Sequence, residues 1–210
     1  MIAQQDFLFL GAIIDLAHFR QRIGDLVFGD GDLVRYNPTT GIATLLLSEE
    51  IFTGGSDIDA VHVVEVGGQI TRLILSTDGP GTINGVLYDD GDLIEIIPGA
   101  NADLAMAQLG DGAIVRRYLA ESVFAVGGNS SGDATENVDA VFIDAADNVV
   151  LSTSSGAAMV GVGGAFGNGD LVQLTGGGNS LGSGTIAAGA TLQVLFEEDP
   201  ASGERTFYGE

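Results

Sequence analysis

The sequence predicts an all-β fold built from repeated antiparallel sheets that resemble propeller blades, with a β-sandwich or barrel as the alternative. Short apolar segments rich in β-branched residues recur along the 210 residues, and glycine, aspartate, asparagine or proline bounds each of them. Several short sequence motifs, which we call phrases, recur in a fixed order. Internal repeats of this kind determine the architecture of a chain. The 33 glycines indicate many tight turns.

The best preserved phrase is an Asp/Asn-Gly-Asp turn followed by an alternating apolar run. It occurs as GDGDLVRY at 29–36, DDGDLIEI at 89–96 and GNGDLVQL at 167–174. Two further phrases occur twice each: DIDAVHVV at 57–64 with NVDAVFID at 137–144, and LILST at 73–77 with VVLST at 149–153. One unit is therefore two strands, a Gly-rich loop, the Gly-Asp-Leu strand and a fourth strand, which is the layout of a propeller blade.

The strands that the pattern predicts follow one another along the whole chain. In order they cover residues 7–14, 33–36, 42–47, 60–66, 71–76, 93–97, 140–143, 149–152, 171–174 and 191–196. A closing hairpin turns at 199–203 and leads into a last strand at 205–208. Helix signals are few, and the candidates are residues 16–23, 104–108 and 116–123.

The repeats divide the chain into three parts within one structural domain. Residues 1–56 form a partial first repeat, which enters near its second strand. Residues 57–136 form the second repeat, with an insertion near 110–131, and residues 137–210 form the third repeat with the closing hairpin. Because two and a half units are too few for a closed propeller, either several chains combine their blades or the units pack as a sandwich or barrel. An unclosed unit also leaves strand edges that invite partner chains.

The order of the phrases resembles the propeller-like repeats of uncharacterised bacterial secreted proteins. The resemblance rests on Asp-x-Asp-Ala, Leu-Ser-Thr, Asp-Gly-Asp-Leu and a turn such as Asn37-Pro38-Thr39-Thr40-Gly41, and it covers roughly residues 25–175. It implies propeller-like blades and carries no activity to these positions.

Composition excludes several classes of function. The net charge is −22, and all seven basic residues are arginine. Such a surface repels nucleic acid phosphates and anionic membranes, and it favours cations and basic partner surfaces. The chain contains no cysteine, which excludes disulfides and thiolate metal sites. Residues 7–14 are too short to span a bilayer and lack a basic flank, so we expect neither membrane insertion nor a Sec signal peptide.

The repeated acidic turns allow two interpretations. Short carboxylates two residues apart on a loop can converge on one calcium ion. The alternative is that each aspartate caps its turn by accepting backbone N–H bonds. The candidate metal ligands are Asp30, Asp32, Asp57, Asp59, Asp90, Asp92, Asp139 and Asp170. No EF-hand loop is present, and no other cofactor is expected.

Signals for catalysis are weak, so the sequence predicts a protein that is not an enzyme. The chain has no tryptophan for a sugar cleft and no lysine after its glycine-rich stretches. No nucleophile elbow is expected, because the Gly-x-Ser-x-Gly matches at 128–132 and 178–182 lie in low-complexity Gly/Ser/Asn-rich runs. Arg116, Arg117 and Tyr118 are the one basic, aromatic spot in an acidic chain. They are read either as a docking patch for an acidic partner or as a local ion-paired insertion.

These observations predict a structural or adhesive protein of a self-assembling surface structure. We expect a homo-oligomer that contacts other structural proteins and locates to a virion, as a phage decoration, fibre or tail-associated component, or to an extracellular surface. The alternative is a calcium-dependent carbohydrate-binding adhesin or lectin module. A hydrolase, the third class, would need one catalytic carboxylate pair.

Overall fold

The computed structural model describes residues 8–10, 21–54, 56–126, 137–154, 157–159, 165–175, 189–198 and 205–207. Their regular structure consists of antiparallel strands and three short 3-10 turns, which confirms the all-β prediction. No sheet of these residues closes into a barrel. No helix within the described ranges has the length and apolar character of a membrane span.

Nineteen strands follow one another in the described chain. The first ten are β1 Leu8–Leu10, β2 Gln21–Ile23, β3 Leu26–Phe28, β4 Leu33–Asn37, β5 Ile42–Leu47, β6 Ile58–Val66, β7 Gln69–Thr77, β8 Gly81–Ile83, β9 Val86–Tyr88 and β10 Leu93–Ile97. The others are β11 Ile114–Leu119, β12 Phe124–Val126, β13 Val138–Ile143, β14 Val149–Thr153, β15 Ala157–Met159, β16 Ala165–Phe166, β17 Leu171–Thr175, β18 Thr191–Glu198 and β19 Arg205–Phe207. The 3-10 turns are Glu49–Ile51, Leu104–Met106 and Glu121–Val123.

Three sheets correspond to the three predicted repeats. The first sheet has the order β1-β4-β5, the second β6-β7-β10-β11, and the third β13-β14-β17-β18-β19. In the second sheet the small hairpin β8–β9 is inserted between the second and third strands of the meander. The hairpin β2–β3 holds the same place before β4, and β15–β16 holds it before β17. The second sheet has the four strands of the predicted unit, whereas the described residues give three strands in the first sheet and five in the third.

Irregularities in strand pairing recur at equivalent places in the three sheets. A register shift follows Leu33 in the pairing of β4 with β5, Leu93 in that of β10 with β11, and Leu171 in that of β17 with β18. Each site is the apolar residue directly after the Asp-Gly-Asp turn. β-Bulges bend a strand and increase its twist, so the repeated sequence produces the same bend three times.

The hydrophobic core lies in two layers between the sheets. Leu33 of the first sheet packs in one cluster with Leu73 and Leu75 of the second. The next residue of β7, Ile74, belongs instead to a cluster with Leu151 of the third sheet. Because side chains alternate along a strand, the second sheet is buried on both faces. We call the face toward the following sheet the back face and the opposite one the front face.

Several predicted boundaries are corrected by the structure. Ile114–Leu119 is the fourth strand of the second sheet, so residues 116–123 do not form a helix and the residues near 110–131 are not simply an insertion. Within 104–108 only Leu104–Met106 is helical, as one 3-10 turn. Of residues 16–23, Gln21–Ile23 form a strand and the rest lie outside the described residues. The closing hairpin is formed by β18 and β19, while its turn at 199–203 lies outside them.

Candidate functional site

The last aspartate of each Asp-Gly-Asp turn folds back on its own turn. Asp32, Asp92 and Asp170 are buried. Each Oδ2 accepts the backbone N–H three residues earlier, from Gly29 at 2.7 Å, Asp89 at 2.9 Å and Gly167 at 2.6 Å. Carboxylates that accept backbone N–H bonds stabilise tight turns, so these positions fit the capping interpretation.

The second oxygen of two of these carboxylates reaches the connection to the next unit. Asp32 Oδ1 accepts the N–H of Glu49 at 2.8 Å, and Asp92 Oδ1 accepts the N–H of Glu121 at 2.7 Å. Both donors open a 3-10 turn directly after the fourth strand. Burial raises the pKa of Asp92, and the two N–H bonds and the charge of Arg117 oppose that rise. Each carboxylate therefore joins one unit to the start of the next.

The connection itself is a repeat that the sequence reasoning missed. It reads LSEEIF at 47–52 and LAESVF at 119–124. Ile51 and Phe52, like Val123 and Phe124, are buried. Ser48 caps the first of these turns, because its hydroxyl accepts the N–H of Glu50 at 3.3 Å. The similarity of the two six-residue segments was the signal that could have found Glu49.

Three carboxylates converge where the first sheet meets the second. Asp30, Glu49 and Asp57 each offer an oxygen, and these atoms lie within 4.8 Å of one another. Asp30 comes from the first turn, Glu49 opens the 3-10 turn, and Asp57 precedes β6. Glu49 Oε2 also accepts the N–H of Gly31 at 3.0 Å. We call Asp30, Glu49 and Asp57 the acidic cluster.

The electrostatics of the acidic cluster favour neutralisation. Burial raises the pKa of Asp57 to about 6. Neighbouring carboxylates add to that rise: Asp30, Asp78, Glu49 and Asp59. Burial also raises the pKa of Glu49, and the N–H bond from Gly31 opposes it. A proton or a bound cation would relieve this repulsion, and carboxylate oxygens are the ligands that Ca²⁺ prefers.

A cleft of about 290 Å³ opens beside the acidic cluster. It lies between the turn before β4 and the starts of β6 and β13, and its acidic lining residues are Asp30, Asp32, Asp59 and Asp139. Asp59 accepts a hydrogen bond from Asn137 Nδ2. Burial raises the pKa of Asp59, the bond from Asn137 lowers it, and Asp78 and Asp90 raise it further. All the charged side chains that line the cleft are acidic, and the rest of its lining is apolar.

The predicted metal ligands are therefore distributed over two kinds of place. Asp30 and Asp57 meet in the acidic cluster, and Asp59 and Asp139 line the adjoining cleft. Asp90 interacts electrostatically with Asp59. Three others cap their turns instead: Asp32, Asp92 and Asp170.

The joint between the second and third sheets has one carboxylate fewer. By the repeated phrases, Asp90 corresponds to Asp30 and Glu121 to Glu49, whereas Asn137 stands where the first joint has Asp57. The bond from Asn137 to Asp59 takes the place of a like-charge contact. Within the described residues, only the first joint brings three carboxylates together.

The predicted docking patch makes contacts inside the molecule. Arg117 Nε lies 2.9 Å from Asp92 Oδ2, and Arg117 also donates to the carbonyl of Leu87 at 3.0 Å. Arg116 forms an ion pair with Glu95. Tyr118 is 1% exposed. The three residues thus fit the ion-paired interpretation.

Glu95 is the centre of an ionic network at the second joint. It is buried between Arg116 and Arg72, whose Nε lies 2.5 Å from Glu95 Oε1. Arg72 also bonds Asp147 of the third sheet's first hairpin at 3.0 Å. The Arg72 guanidinium lies 5.1 Å from the centre of the Tyr118 ring. The network links the second and third sheets through Asp147, which also accepts a hydrogen bond from the Tyr118 hydroxyl at 3.3 Å. The contact of Arg72 with the Tyr118 ring lies within the second sheet.

Comparison of the chain with models of known families, with curated proteins and with solved structures gives no match. The resemblance of the phrases to propeller-like repeats of bacterial secreted proteins therefore stays an expectation.

Proposed function

We propose that this protein is a non-enzymatic structural or adhesive component of a self-assembling surface structure, such as a virion decoration, fibre or tail-associated part. The observation that supports the proposal is how the repeated residues are used. The capping aspartates and the 3-10 turns join one unit to the next, and the buried faces of each sheet pack against a neighbouring unit. Chains built in this way can extend their contacts to further copies.

The proposed partners follow from the charge. With a net charge of −22, the chain avoids nucleic acid and anionic membranes, and it meets other structural proteins or further copies of itself. The proposed location is a virion or an extracellular surface.

The test is the solution mass of the purified chain by light scattering, with and without EDTA. The proposal predicts an oligomer or filament in both conditions, because the capping aspartates bind backbone N–H groups and need no metal. A monomer in both conditions at every concentration would overturn it. An assembly that dissociates only with EDTA would favour the alternative.

The alternative function is that of a calcium-dependent, carbohydrate-binding adhesin. The acidic cluster supports it, because burial and like charges leave three carboxylates in a state that a cation would relieve. Calcium should then raise the midpoint of thermal unfolding and allow binding to a glycan array. Asp57→Asn should abolish both effects, while Glu50→Gln, at an exposed neighbour of the cluster, should retain them.

A further inference from the structure

A pair of apolar residues marks the back face of each unit at the same point of the repeat. Leu33 lies opposite Leu47 in the first sheet, and Leu93 lies opposite Leu119 in the second. All four side chains are at most 1% exposed. The following unit covers each pair, since Leu33 and Leu47 share a core cluster with the second sheet, and Leu93 and Leu119 share one with the third.

The equivalent pair of the third sheet is Leu171 and Phe196, which lie opposite each other in β17 and β18. Leu171 is 36% exposed, and Phe196 is half-buried. The leucine side chain that is fully buried in the first two units is therefore partly exposed in the last one.

A row of side chains across the back face shows the same contrast. In the second sheet the row is His62, Ile74, Glu95 and Arg116, and in the third sheet it is Phe142, Val150, Gln173 and Gln193. Ile74 and Glu95 are at most 1% exposed, whereas their counterparts Val150 and Gln173 are half-buried. Phe142, the counterpart of the half-buried His62, is 54% exposed. One side of the Phe142 ring meets His62, with the ring centres 5.1 Å apart.

The third row has lost the charges of the second. Gln173 stands where the second sheet has Glu95, and Gln193 stands where it has Arg116. Asp144 lies at the rim and accepts a hydrogen bond from Gln173 at 3.4 Å. We call Phe142, Val150, Leu171, Gln173 and Gln193 the third-sheet face. The five positions that define this surface carry no charged side chain, and Asp144 adjoins them at Gln173. In a chain of net charge −22, such a patch reduces the like-charge repulsion between two approaching copies.

We infer that the third-sheet face is the surface on which a second copy of this chain docks. Inside the chain, every equivalent face is covered by another unit of the same repeat, and a second copy supplies such a unit. The apolar side chains of Leu171 and Phe142 would then be removed from water as Leu33 and Leu93 are. This inference rests on the proposed self-assembly and names the surface that carries it.

The experiment measures the self-association of the whole chain by sedimentation and light scattering over a concentration series. Leu171→Glu and Phe142→Glu should each weaken self-association at least tenfold, because each places a charge in the contact. Leu87→Glu is the matched control, since Leu87 is 70% exposed on the small hairpin β8–β9, and it should assemble like the unchanged chain.

The outcomes separate the two proposals. If the unchanged chain assembles and neither third-sheet variant weakens assembly, the inference is wrong while the proposed self-assembly stands. If the unchanged chain is monomeric throughout, both are wrong. Circular dichroism checks that the variants fold, and Leu171→Ser, a milder change at the same site, should weaken assembly in the same direction.

Discussion

The aspartate of each Gly-Asp-Leu segment shows how one side chain can organise a whole unit. Asp92 is 1% exposed and uses both carboxylate oxygens, one for its own turn and one for the N–H of Glu121. Ser76 of β7 donates its hydroxyl hydrogen to the carbonyl of Asp90, which lies in the same turn as Asp92, at 2.8 Å. The Leu-Ser-Thr and Asp-Gly-Asp phrases are therefore two halves of one hydrogen-bonded structure.

Asp92→Ala should lower the free energy of unfolding by about 3 kcal/mol, because it leaves two N–H groups unpaired and removes the partner of Arg117. Urea unfolding of the purified chain measures the change. Asp89→Ala, at an exposed position of the same turn, is the control and should stay within about 0.5 kcal/mol. Equal effects of the two substitutions would contradict the capping role.

Asp57 should make the protein more stable in mild acid than at neutral pH. Burial raises its pKa in the folded chain to about 6, above the ordinary value of 3.8, so the folded state binds the proton more tightly. The free energy of unfolding should fall as the pH rises from about 4 to about 6. Asp57→Asn should remove this dependence and, after allowance for solvent screening, stabilise the chain at neutral pH by about 1 kcal/mol.

Thermal unfolding at several pH values measures both effects of Asp57→Asn. The substitution copies what the second joint already has in Asn137. If the variant is no more stable than the unchanged chain at neutral pH in calcium-free buffer, the charge of Asp57 does not destabilise the folded chain.

At the scale of elements, the sheets are joined by polar residues placed in the middle of apolar faces. Glu95 lies in a row with Ile74 yet is buried, because Arg72 and Arg116 neutralise it. Arg35 holds the same place in the first sheet and forms an ion pair with Glu65 of β6. A buried ion pair adds little net stability, but removing one of its two partners lowers the free energy of unfolding strongly.

Glu95→Gln should lower the free energy of unfolding by about 3 kcal/mol, because it removes the carboxylate that pairs with both Arg72 and Arg116 and leaves Arg72 with Asp147 as its remaining ion-pair partner. Glu50→Gln, on the exposed side of the first 3-10 turn, is the control and should change little. Urea unfolding gives both values. If Glu95→Gln hardly changes the free energy of unfolding, water already replaces the ionic contacts of Glu95.

The elements show which parts of the fold were predictable from sequence. Strands 42–47 and 93–97 were predicted with the bounds that the structure has, since turn residues flank each apolar run. The hairpin β8–β9 was missed, although Asn84-Gly85 is a strong signal for a two-residue turn; their φ values are +48° and +80°. β11 was misread because its two arginines and a tyrosine interrupt the apolar pattern.

The candidate site was predictable only in part, because local spacing does not specify it. Asp30 and Asp57 lie in recurring phrases and were predicted, whereas Glu49 was not. The capping pairs are 17 residues apart in the first unit and 29 in the second. A loop with its own 3-10 turn accounts for the difference. Only the paired sheets bring these residues together.

At the scale of the whole molecule, the charge opposes folding. A net charge of −22 on 210 residues destabilises a compact state through self-repulsion. Raising NaCl from about 0.01 M to about 1 M shortens the screening length from about 30 Å to about 3 Å. The midpoint of thermal unfolding should therefore rise by several degrees.

Differential scanning calorimetry in buffers without divalent cations measures this salt effect. Choline chloride, a second salt of the same ionic strength, is the control and should act like NaCl if screening is the cause. A midpoint that falls with salt would show that the ion pairs of the joints outweigh the repulsion.

The first joint has Asp57 where the second joint has Asn137, so the two joints of the array differ in charge. Among the described residues, only the joint between the first and second sheets carries three crowded carboxylates, so we expect it to be the weaker of the two joints at neutral pH. In linear arrays, stability is a sum over units and their joints, and the weakest joint opens first. We therefore expect the first sheet to separate from the second before the second separates from the third.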